Sequence, residues 1–267
     1  MNPSDIKKLQ KLLIELSFDP GPADGIYGPR TRQALDAATG SNVQTIEPTY
    51  IDGVDVSSYQ GVVDWRKVAS SGIKFAWVKC SEGTTHKNRR RQSNLSGARR
   101  EGIAVGGYHF ARPDTYQRIK LADARKEAEN FLSCYGDAHP GDLIPVLDLE
   151  SGLLKNNHGY NCDWIFEWAR VVQDELGCKP MMYSARWATT SRLLNADQTQ
   201  LAMLSKYPLW WAEYRSARTI APTKKLSPWK SWQVWQWTGS GEVAGIKGKC
   251  DRNRMRQGTL ATLKVDA

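Results

Sequence analysis

The sequence lacks several features that would each have indicated a class of protein. No hydrophobic run approaches the roughly 20 residues that a membrane-spanning helix needs. The segment from Met1 to Asp5 has no basic start followed by an apolar stretch, so we expect no secretory signal peptide. Histidine occurs only 4 times, and neither Cys-x-x-Cys nor His-x-x-x-His spacing is present. We therefore expect neither a metal site nor a cofactor.

Cysteine is also sparse and irregular in its placement. The 5 cysteines are odd in number and widely scattered, at positions 80, 134, 162, 178 and 250. This arrangement favours free thiols in a protein made in a reducing compartment over a disulfide framework.

Acidic residues are outnumbered, and the formal net charge is +9. A basic protein is attracted to polyanions such as nucleic acid, anionic lipid or an anionic cell envelope. The densest basic cluster, residues 87–91, is not accompanied by a helix-turn-helix, zinc-finger or RNA-binding signature. We interpret it as a solvated loop, and expect no nucleic-acid partner and no insertion into a membrane.

The chain is expected to divide near residues 40 to 50. Apolar residues within 4–17 recur at helical spacing, and a second short helix is predicted from Pro29 to about Ala38, ended by Gly40. Residues 41–50 have no periodicity and predict a linker. The predicted domains are therefore an all-helical domain at 1–40, a linker at 41–50 and a larger domain at 51–267.

The larger domain alternates strand and helix patterns, which is typical of a parallel α/β architecture. Predicted strands lie near 53–57, 75–79, 105–110, 143–149, 181–184, 209–214, 232–237 and 248–252. Predicted helices lie at 65–70, 94–101, 119–135, 164–176 and 198–204. Eight strands and about five helices predict a TIM-like barrel whose last part has little helix. In such barrels the chemistry lies at the C-terminal ends of the strands.

One predicted strand ends in two carboxylates. Side chains alternate along a strand, so Asp148 and Glu150 would share a face, with Cα atoms roughly 6.6 Å apart at about 3.3 Å per residue. Two like charges at that distance raise the pKa of one of them. A protonated carboxyl beside an ionised one is suited to cleaving a glycosidic bond. The alternative is a strand end whose two acids simply face water.

Polar and aromatic residues also occur near the ends of the other predicted strands. A single buried Tyr or His is usually a hydrogen-bonded core residue, but the convergence of many on one rim predicts a site. Tryptophan is concentrated between Trp187 and Trp237, and flat aromatic faces suit sugars. We expect Trp211 and Trp237 to lie in a groove. The full set of rim candidates is Asp55, Lys79, Glu82, Tyr108, His109, Asp148, Glu150, Tyr183, Trp211, Glu213, Gln236, Trp237 and Asp251.

This domain resembles glycoside hydrolase family 25, a family of lysozymes that act as N-acetylmuramidases. The resemblance lies in eight segments that follow one another in the order found in that family. Examples are Phe-Ala-Trp-Val-Lys-x-Ser-Glu-Gly at 75–83 and Pro-Val-Leu-Asp-Leu-Glu at 145–150. The resemblance implies a barrel of eight strands and five helices, and retention of anomeric configuration. It also implies that Asp55 and Asp251 position the substrate and help keep Glu150 protonated. The segments are 53–65, 75–83, 106–110, 145–150, 180–184, 209–214, 235–237 and 251–253.

The N-terminal segment resembles the small helical peptidoglycan-binding domain found on cell-wall hydrolases. The resemblance lies in Lys-Leu-Gln-x-Leu-Leu at 8–13 and in Asp-Gly-x-x-Gly-x-x-Thr at 24–31. It implies that the ligand-binding residues are Asp24, Tyr27, Thr31 and Arg32. The family often continues into Phe-Gln where this chain has Ala38 and Thr39, which removes an aromatic ring. The alternative is a helical hairpin that only packs on the larger domain.

The resemblance implies hydrolysis of the β-1,4 bond between N-acetylmuramic acid and N-acetylglucosamine in bacterial peptidoglycan. Glu150 would protonate the leaving oxygen and then activate water. Two roles remain open for Asp148. It would either orient the substrate's own N-acetyl group, which we favour, or act as the nucleophile.

Several functional alternatives accompany this interpretation. The chain could be a wall-binding protein whose barrel has lost activity, although such a binder would not need the acid pair. Amidase or peptidase action on the stem peptide would need a metal or a Cys–His pair, and neither pattern is visible. A basic hydrolase without a signal peptide resembles a phage endolysin made in the host cytoplasm, and a bacterial autolysin is the alternative. We expect a monomer whose partner is peptidoglycan.

Overall fold

The computed structural model describes residues 2–39, 50–116, 118–214 and 226–265. The chain forms two compact units, Met1–Glu47 and Pro48–Ala267. The predicted linker at 41–50 lies outside the described residues except for Tyr50, which begins the first strand. No helix in the described ranges is long and apolar enough to cross a membrane.

The first unit contains two helices, α1 (Pro3–Glu15) and α2 (Pro29–Ala38). The Asn2 side chain caps α1 by accepting a hydrogen bond from the backbone N–H of Asp5, and a proline stands at the first turn of each helix. The connection between the helices is held by Gln10, which is buried. Gln10 Nε2 donates to Asp24 Oδ1 and to Thr31 Oγ1, both at 3.1 Å.

The second unit is a barrel surrounded by helices. Its strands are β1 (Tyr50–Val56), β2 (Phe75–Glu82), β3 (His86–Lys87), β4 (Ala104–Phe110), β5 (Val146–Asp148), β6 (Met181–Ala185), β7 (Leu209–Ala212), β8 (Val234–Gly241) and β9 (Cys250–Arg256). Its described helices are α3 (Trp65–Ser70), α4 (Arg91–Arg100), α5 (Leu121–Tyr135), α6 (His158–Leu176), α7 (Arg186–Arg192), α8 (Gln198–Leu204) and α9 (Thr259–Thr262).

Eight strands close the barrel, because β1 pairs with both β2 and β9. The short strand β3 pairs only with the end of β2. Apart from β3, which is antiparallel to β2, neighbouring strands from β1 through β8 run parallel. The strand β9 is antiparallel to both β8 and β1. The start of β9 therefore lies at the same rim as the C-terminal ends of the parallel strands.

The core has two layers, because strand side chains alternate between the barrel interior and the helices. Residues such as Trp77, Val146 and Trp210 fill the interior. The layer between barrel and helices is larger, and includes Phe131 of α5 and Trp168 of α6. This packing holds the strand ends rigidly around one rim.

The predicted eight-stranded barrel with an N-terminal helical domain is confirmed, with local differences. The five predicted helices are α3, α4, α5, α6 and α8, although α6 begins at His158 rather than 164. The helix α7 was missed because Arg-Trp-Ala-Thr-Thr-Ser-Arg has no apolar periodicity. The strand β9 extends to Arg256, beyond the predicted end at 252.

The largest local difference concerns the acid pair. The strand β5 covers only Val146–Asp148, and it begins after Pro145, which has no N–H to donate to a ladder. Glu150 therefore lies two residues beyond the strand, and strand alternation does not by itself place it beside Asp148. The backbone N–H of Leu149 still donates to the carbonyl of Tyr183 at 3.0 Å, which holds the chain against β6 before it turns away.

Candidate active site

A cleft crosses the barrel rim where the parallel strands end. Its central cavity has a volume of about 250 Å³ and is lined by polar residues that include Asp55, Asp148, Glu150 and Asp251. Two further cavities share lining residues with it. One of about 590 Å³, which we call the Trp187 arm, shares Glu150. The other, of about 200 Å³, includes Tyr59 and is called the Tyr59 arm.

Asp55 and Asp251 form one side of the central cavity. The two residues are Cα partners between β1 and β9. Asp55 Oδ2 accepts hydrogen bonds from Gln236 Nε2 at 3.0 Å and from Asn253 Nδ2 at 2.8 Å. Burial raises the pKa of Asp55 well above its usual value, and the nearby Asp251 raises it further. Burial also raises the pKa of Asp251, while its hydrogen bond with Asp55 acts in the opposite direction. The pair therefore holds a proton more readily than two isolated aspartates would.

Asp148 is the last residue of β5 and lies at the floor of the central cavity, with 6% of its surface exposed. Its Oδ1 atom accepts no hydrogen bond from any described residue. Burial raises the pKa of Asp148 well above its usual value, and Glu150 and Asp55 raise it further. A buried carboxyl oxygen that lines a cleft in this way is available to a donor on a bound substrate.

Glu150 lies at the junction of the central cavity and the Trp187 arm. The residue is exposed along the open cleft, but the cleft walls partly desolvate its carboxyl. This desolvation raises the pKa of Glu150, and Asp251 raises it further, whereas Lys79 and Arg112 lower it. Glu150 is therefore the acid best able to both hold a proton and reach a substrate.

Two tyrosines and a glutamine connect the two sides of the cleft. The hydroxyl groups of Tyr183 and Tyr214 donate to Gln236 Oε1 at 2.9 and 3.2 Å. Gln236 in turn donates to Asp55, so it orients that carboxylate rather than standing free for a ligand. Tyr108 lines the central cavity and the Tyr59 arm, and burial raises its pKa well above the usual value, which keeps it neutral.

Lys79 and Glu82, both predicted to bind substrate, are bonded to each other. Lys79 Nζ lies 2.6 Å from Glu82 Oε2, and Arg112 Nε donates to Glu82 Oε1 at 2.7 Å. Both cations also lie over the Phe110 ring, at 4.4 and 4.7 Å from its centroid. Lys79 lines the central cavity, whereas Glu82 holds the two cations in place. Glu213 lines the Trp187 arm and accepts a hydrogen bond from Trp211 Nε1 at 3.1 Å.

Three predicted cleft residues are not brought to the cleft. His109 is fully buried behind β4, where Nε2 contacts Glu127 Oε2 and Nδ1 contacts Ser81 Oγ, each at 2.7 Å. Trp211 is fully buried in the layer between barrel and helices. Trp237 packs against that same outer layer, with Arg254 over its ring. In each case strand alternation directs the side chain outward from the barrel.

The strand neighbours of these residues occupy the cleft instead. Trp210, one residue before Trp211, lines the central cavity, and its Nε1 donates to Asn253 Oδ1 at 2.9 Å. Alternation along β7 puts Trp210 and Trp211 on opposite faces, but it does not say which of them faces the cleft. Asn253 could have been found by alternation, because it follows Asp251 by two positions. Trp187 had no such signal, because it lies on the unpredicted helix α7. Tyr214 lies at the end of the predicted strand 209–214, on the same alternation face as Trp210, although β7 itself ends at Ala212.

The predicted ligand residues of the first unit divide into two groups. Asp24 and Thr31 belong to the Gln10 network that holds the loop, and Thr31 is buried. Tyr27 is 40% exposed. Arg32 is also exposed, with its Nε 3.9 Å from Asp36 Oδ2. A ligand could therefore contact Tyr27 and Arg32 directly.

The arrangement of the barrel cleft is suited to general acid chemistry on a polar ligand. Four carboxyls with raised pKa values surround one small cavity, and aromatic rings line the wider arm beside it. Within the described ranges no group of three or more His, Cys, Asp or Glu side chains is placed to hold a metal ion.

The chain matches two known families. The profile described as glycosyl hydrolases family 25 matches residues 54–246. A profile described as a peptidoglycan binding domain matches residues 2–38.

Individual relatives agree with this family match. Lysozyme M1 of Streptomyces globisporus is 30% identical over 251 residues, which cover 92% of this chain and 82% of the relative. A bacterial lysozyme structure from Streptomyces coelicolor is 30% identical with a TM-score of 0.66, covering 80% of this chain and 94% of that one. A family 25 lysozyme structure from Aspergillus fumigatus is 25% identical with a TM-score of 0.66, covering 82% and 100%.

Proposed function

Because this chain belongs to glycosyl hydrolases family 25, we propose that it is a muramidase that acts on bacterial peptidoglycan. It would hydrolyse the β-1,4 bond between N-acetylmuramic acid and N-acetylglucosamine. The observation that carries the proposal is the position of Glu150, which has a raised pKa and lines both the central cavity and the Trp187 arm. A glycosidic oxygen at that junction would be within the reach of a proton donor.

The proposed reaction begins with proton transfer from Glu150 to the leaving oxygen, as the sugar in the central cavity acquires oxocarbenium character. Asp148 supports a mechanism in which the substrate's acetamide oxygen attacks the anomeric carbon. Its Oδ1 accepts no hydrogen bond from the described residues, and can accept one from the acetamide N–H. Glu150 then removes a proton from the water that opens the intermediate, with net retention of configuration.

The N-terminal unit is proposed to keep the enzyme on its insoluble substrate. It matches the peptidoglycan-binding family, and Tyr27 and Arg32 are exposed on its surface. Tethering through such a domain raises the effective concentration of glycan at the catalytic cleft without any new contact at the cleft itself.

The decisive experiment is digestion of purified peptidoglycan, followed by identification of the new reducing-end sugar by mass spectrometry. A muramidase releases N-acetylmuramic acid at the reducing end. Release of N-acetylglucosamine at that end would overturn the assignment. Release of free stem peptide would indicate amidase action instead.

We also propose a biological origin for this muramidase: a monomeric phage-type endolysin, made in the cytoplasm of a bacterial host. The five cysteines are free thiols, which suits synthesis in a reducing compartment, and the net charge of +9 suits an anionic envelope. Production in a bacterial host should cause lysis only when a separate pore-forming protein is also produced. Lysis without any pore would favour an exported autolysin.

A further inference from the structure

The Trp187 arm is lined by Arg186, a cation whose charge no described residue pairs. Arg186 and Trp187 are the first two residues of α7, and both are exposed, with 47% of the surface of Trp187 accessible. The guanidinium of Arg186 has no hydrogen bond or ion pair with any described residue. Arg192, on the same helix, instead lies over the Trp187 ring and donates to Ser191.

The lining of the cleft indicates on which side of the broken bond the Trp187 arm lies. Glu150 lines the central cavity and the Trp187 arm but does not line the Tyr59 arm. Asp55 and Asp251 line the central cavity and the Tyr59 arm instead. A general acid must reach the oxygen between the reacting sugar and the leaving sugar. The leaving sugars therefore extend into the Trp187 arm, and the other end of the glycan extends towards Tyr59.

The chemistry of the arm fits sugars that carry a negative charge. Trp187 and Tyr214 expose flat rings, which pack against the C–H faces of sugars. A guanidinium binds a carboxylate through paired hydrogen bonds. When the reacting sugar is N-acetylmuramic acid, the first leaving sugar is neutral N-acetylglucosamine, and the second is a muramoyl residue with a lactyl carboxylate or an anionic peptide.

We propose that Arg186 binds the carboxylate-bearing substituent of the muramoyl residue on the leaving side, while Trp187 and Tyr214 contact the leaving sugars. The proposal rests on the muramidase function given above, and assigns the direction in which the glycan lies. Arg186 is thus a residue that selects anionic glycan, separate from the carboxyls that perform the chemistry.

The test uses the full chain and synthetic tetrasaccharides of alternating N-acetylglucosamine and N-acetylmuramic acid. Each contains one cleavable muramoyl bond, and its reducing-end muramoyl residue lies on the leaving side. Three versions are compared: both lactyl groups as carboxylates, only the reducing-end group as carboxamide, and only the internal group as carboxamide. The enzymes are wild type, Arg186→Gln, Arg186→Lys and Lys206→Gln, the last being an exposed control with the same charge change.

Amidation of the reducing-end group should lower kcat/KM of wild type and Lys206→Gln by about fivefold, the size of an exposed ion pair. It should lower kcat/KM of Arg186→Lys by a smaller factor, because an ammonium group keeps the charge but not the paired hydrogen bonds of a guanidinium. The Arg186→Gln variant should be insensitive to that amidation, but as sensitive as wild type to amidation of the internal group. The proposal is overturned if wild type ignores the reducing-end charge, or if Arg186→Gln still responds to it. It is also overturned if Arg186→Gln instead loses its response to the internal group. Failure of the muramidase assignment is distinguishable, since wild type would then not cleave the unmodified tetrasaccharide at the muramoyl bond.

Discussion

Asp55 on β1 and Asp251 on β9 are direct partners across an antiparallel strand pair, at opposite ends of the catalytic unit's sequence. The pair exists because β9 runs against the other strands and brings its first residues to the rim where β1 ends. Asp251 raises the pKa of Glu150, and Glu150 in turn raises the pKa values of Asp148 and Asp55, so the four acids of the rim act on one another.

Glu150→Gln should abolish most activity, because an amide cannot donate a proton to the leaving oxygen. General acid–base catalysis contributes about 10²–10⁴-fold, so kcat on peptidoglycan should fall by that factor. The midpoint of thermal unfolding should remain near that of wild type, since Glu150 is exposed. Glu242→Gln, at an exposed ion pair with Lys249, is the matched control and should retain full turnover. Wall clearing by Glu150→Gln at nearly the wild-type rate would contradict the mechanism.

Arg112→Gln should extend activity to higher pH. Activity requires protonated Glu150 and is lost as the pH rises through the pKa of that carboxyl. Arg112 lowers this pKa, so removing its charge should raise the pKa and move the basic limb of the kcat/KM profile upward. The shift should shrink in high salt, because Arg112 is half-exposed. Arg118→Gln, which removes an exposed arginine paired with Asp114, should leave the profile unchanged. A shift to lower pH would contradict this electrostatic role.

His109 and Glu127 should share one proton in the folded state. Burial lowers the pKa of His109 to about 3 and raises that of Glu127 to about 8. The unfolded pair also holds one proton between its ordinary pKa values of 4.5 and 6.5, so this window gives no pH dependence. Above 6.5 the unfolded pair loses its proton while the folded pair keeps it, so the stability from this pair falls up to about pH 8.

Glu127→Gln tests this by removing the carboxyl while keeping a hydrogen-bonding side chain. The free energy of unfolding of wild type should fall relative to the variant between pH 6.5 and 8. The slope for one proton is about 1.4 kcal/mol per pH unit. Urea unfolding followed by tryptophan fluorescence is a suitable measurement, because all 11 tryptophans lie in the second unit. A constant difference across that range would show that the pair does not hold the extra proton.

Gln10→Ala should disrupt the first unit without affecting the cleft. Gln10 is buried and supports the loop through Asp24, Gly25 and Thr31, so truncation leaves buried polar groups unpaired at about 1–3 kcal/mol each. We expect weaker co-sedimentation with intact sacculi and unchanged turnover of soluble tetrasaccharide. Gln33→Ala, exposed on α2, should sediment like wild type. Equal sedimentation of both variants and of a chain lacking residues 1–45 would show that this unit does not anchor the enzyme.

Asp148→Asn separates the two roles considered for Asp148. If Asp148 only orients the acetamide, the variant should retain part of its activity and no sugar ester should form on the protein. A carboxylate nucleophile would instead give a glycosyl ester when a slow, activated substrate is rapidly quenched. Intact-protein mass spectrometry is the measurement. An adduct mapped to Asp148, Asp55 or Asp251 would overturn substrate assistance.

Much of the fold could be predicted because it depends on local periodicity. Alternating apolar strands and amphipathic helices indicated the barrel, and α3 and α8 were predicted with the bounds they have in the structure. The exceptions were polar or interrupted segments. The helix α7 has no apolar stripe, and Pro145 shortens β5, so neither could be assigned from pattern alone.

The positions of the strands were easier to predict than the face of the strand on which each residue lies. A shift of one residue exchanges the two faces. Trp211 was therefore expected in the cleft that Trp210 lines, and His109 was placed there although it packs against α5 and α6. Sequence alone carried no information on which alternate set faced inward, because both faces of these strands are buried.

The sequence by itself determined the chemical types at the rim, the barrel architecture and the family, since motifs and periodicity are properties of the chain. Only the tertiary structure decided which of those residues meet. The antiparallel course of β9 brings Asp251 to Asp55, and the turn after β5 places Glu150 between two cavities. The same folding places an unpaired arginine at the start of α7 in the wider arm, among the residues the structure describes. The pKa values of the acids also depend on the fold, because burial and the distances between charges exist only once the chain has closed the barrel.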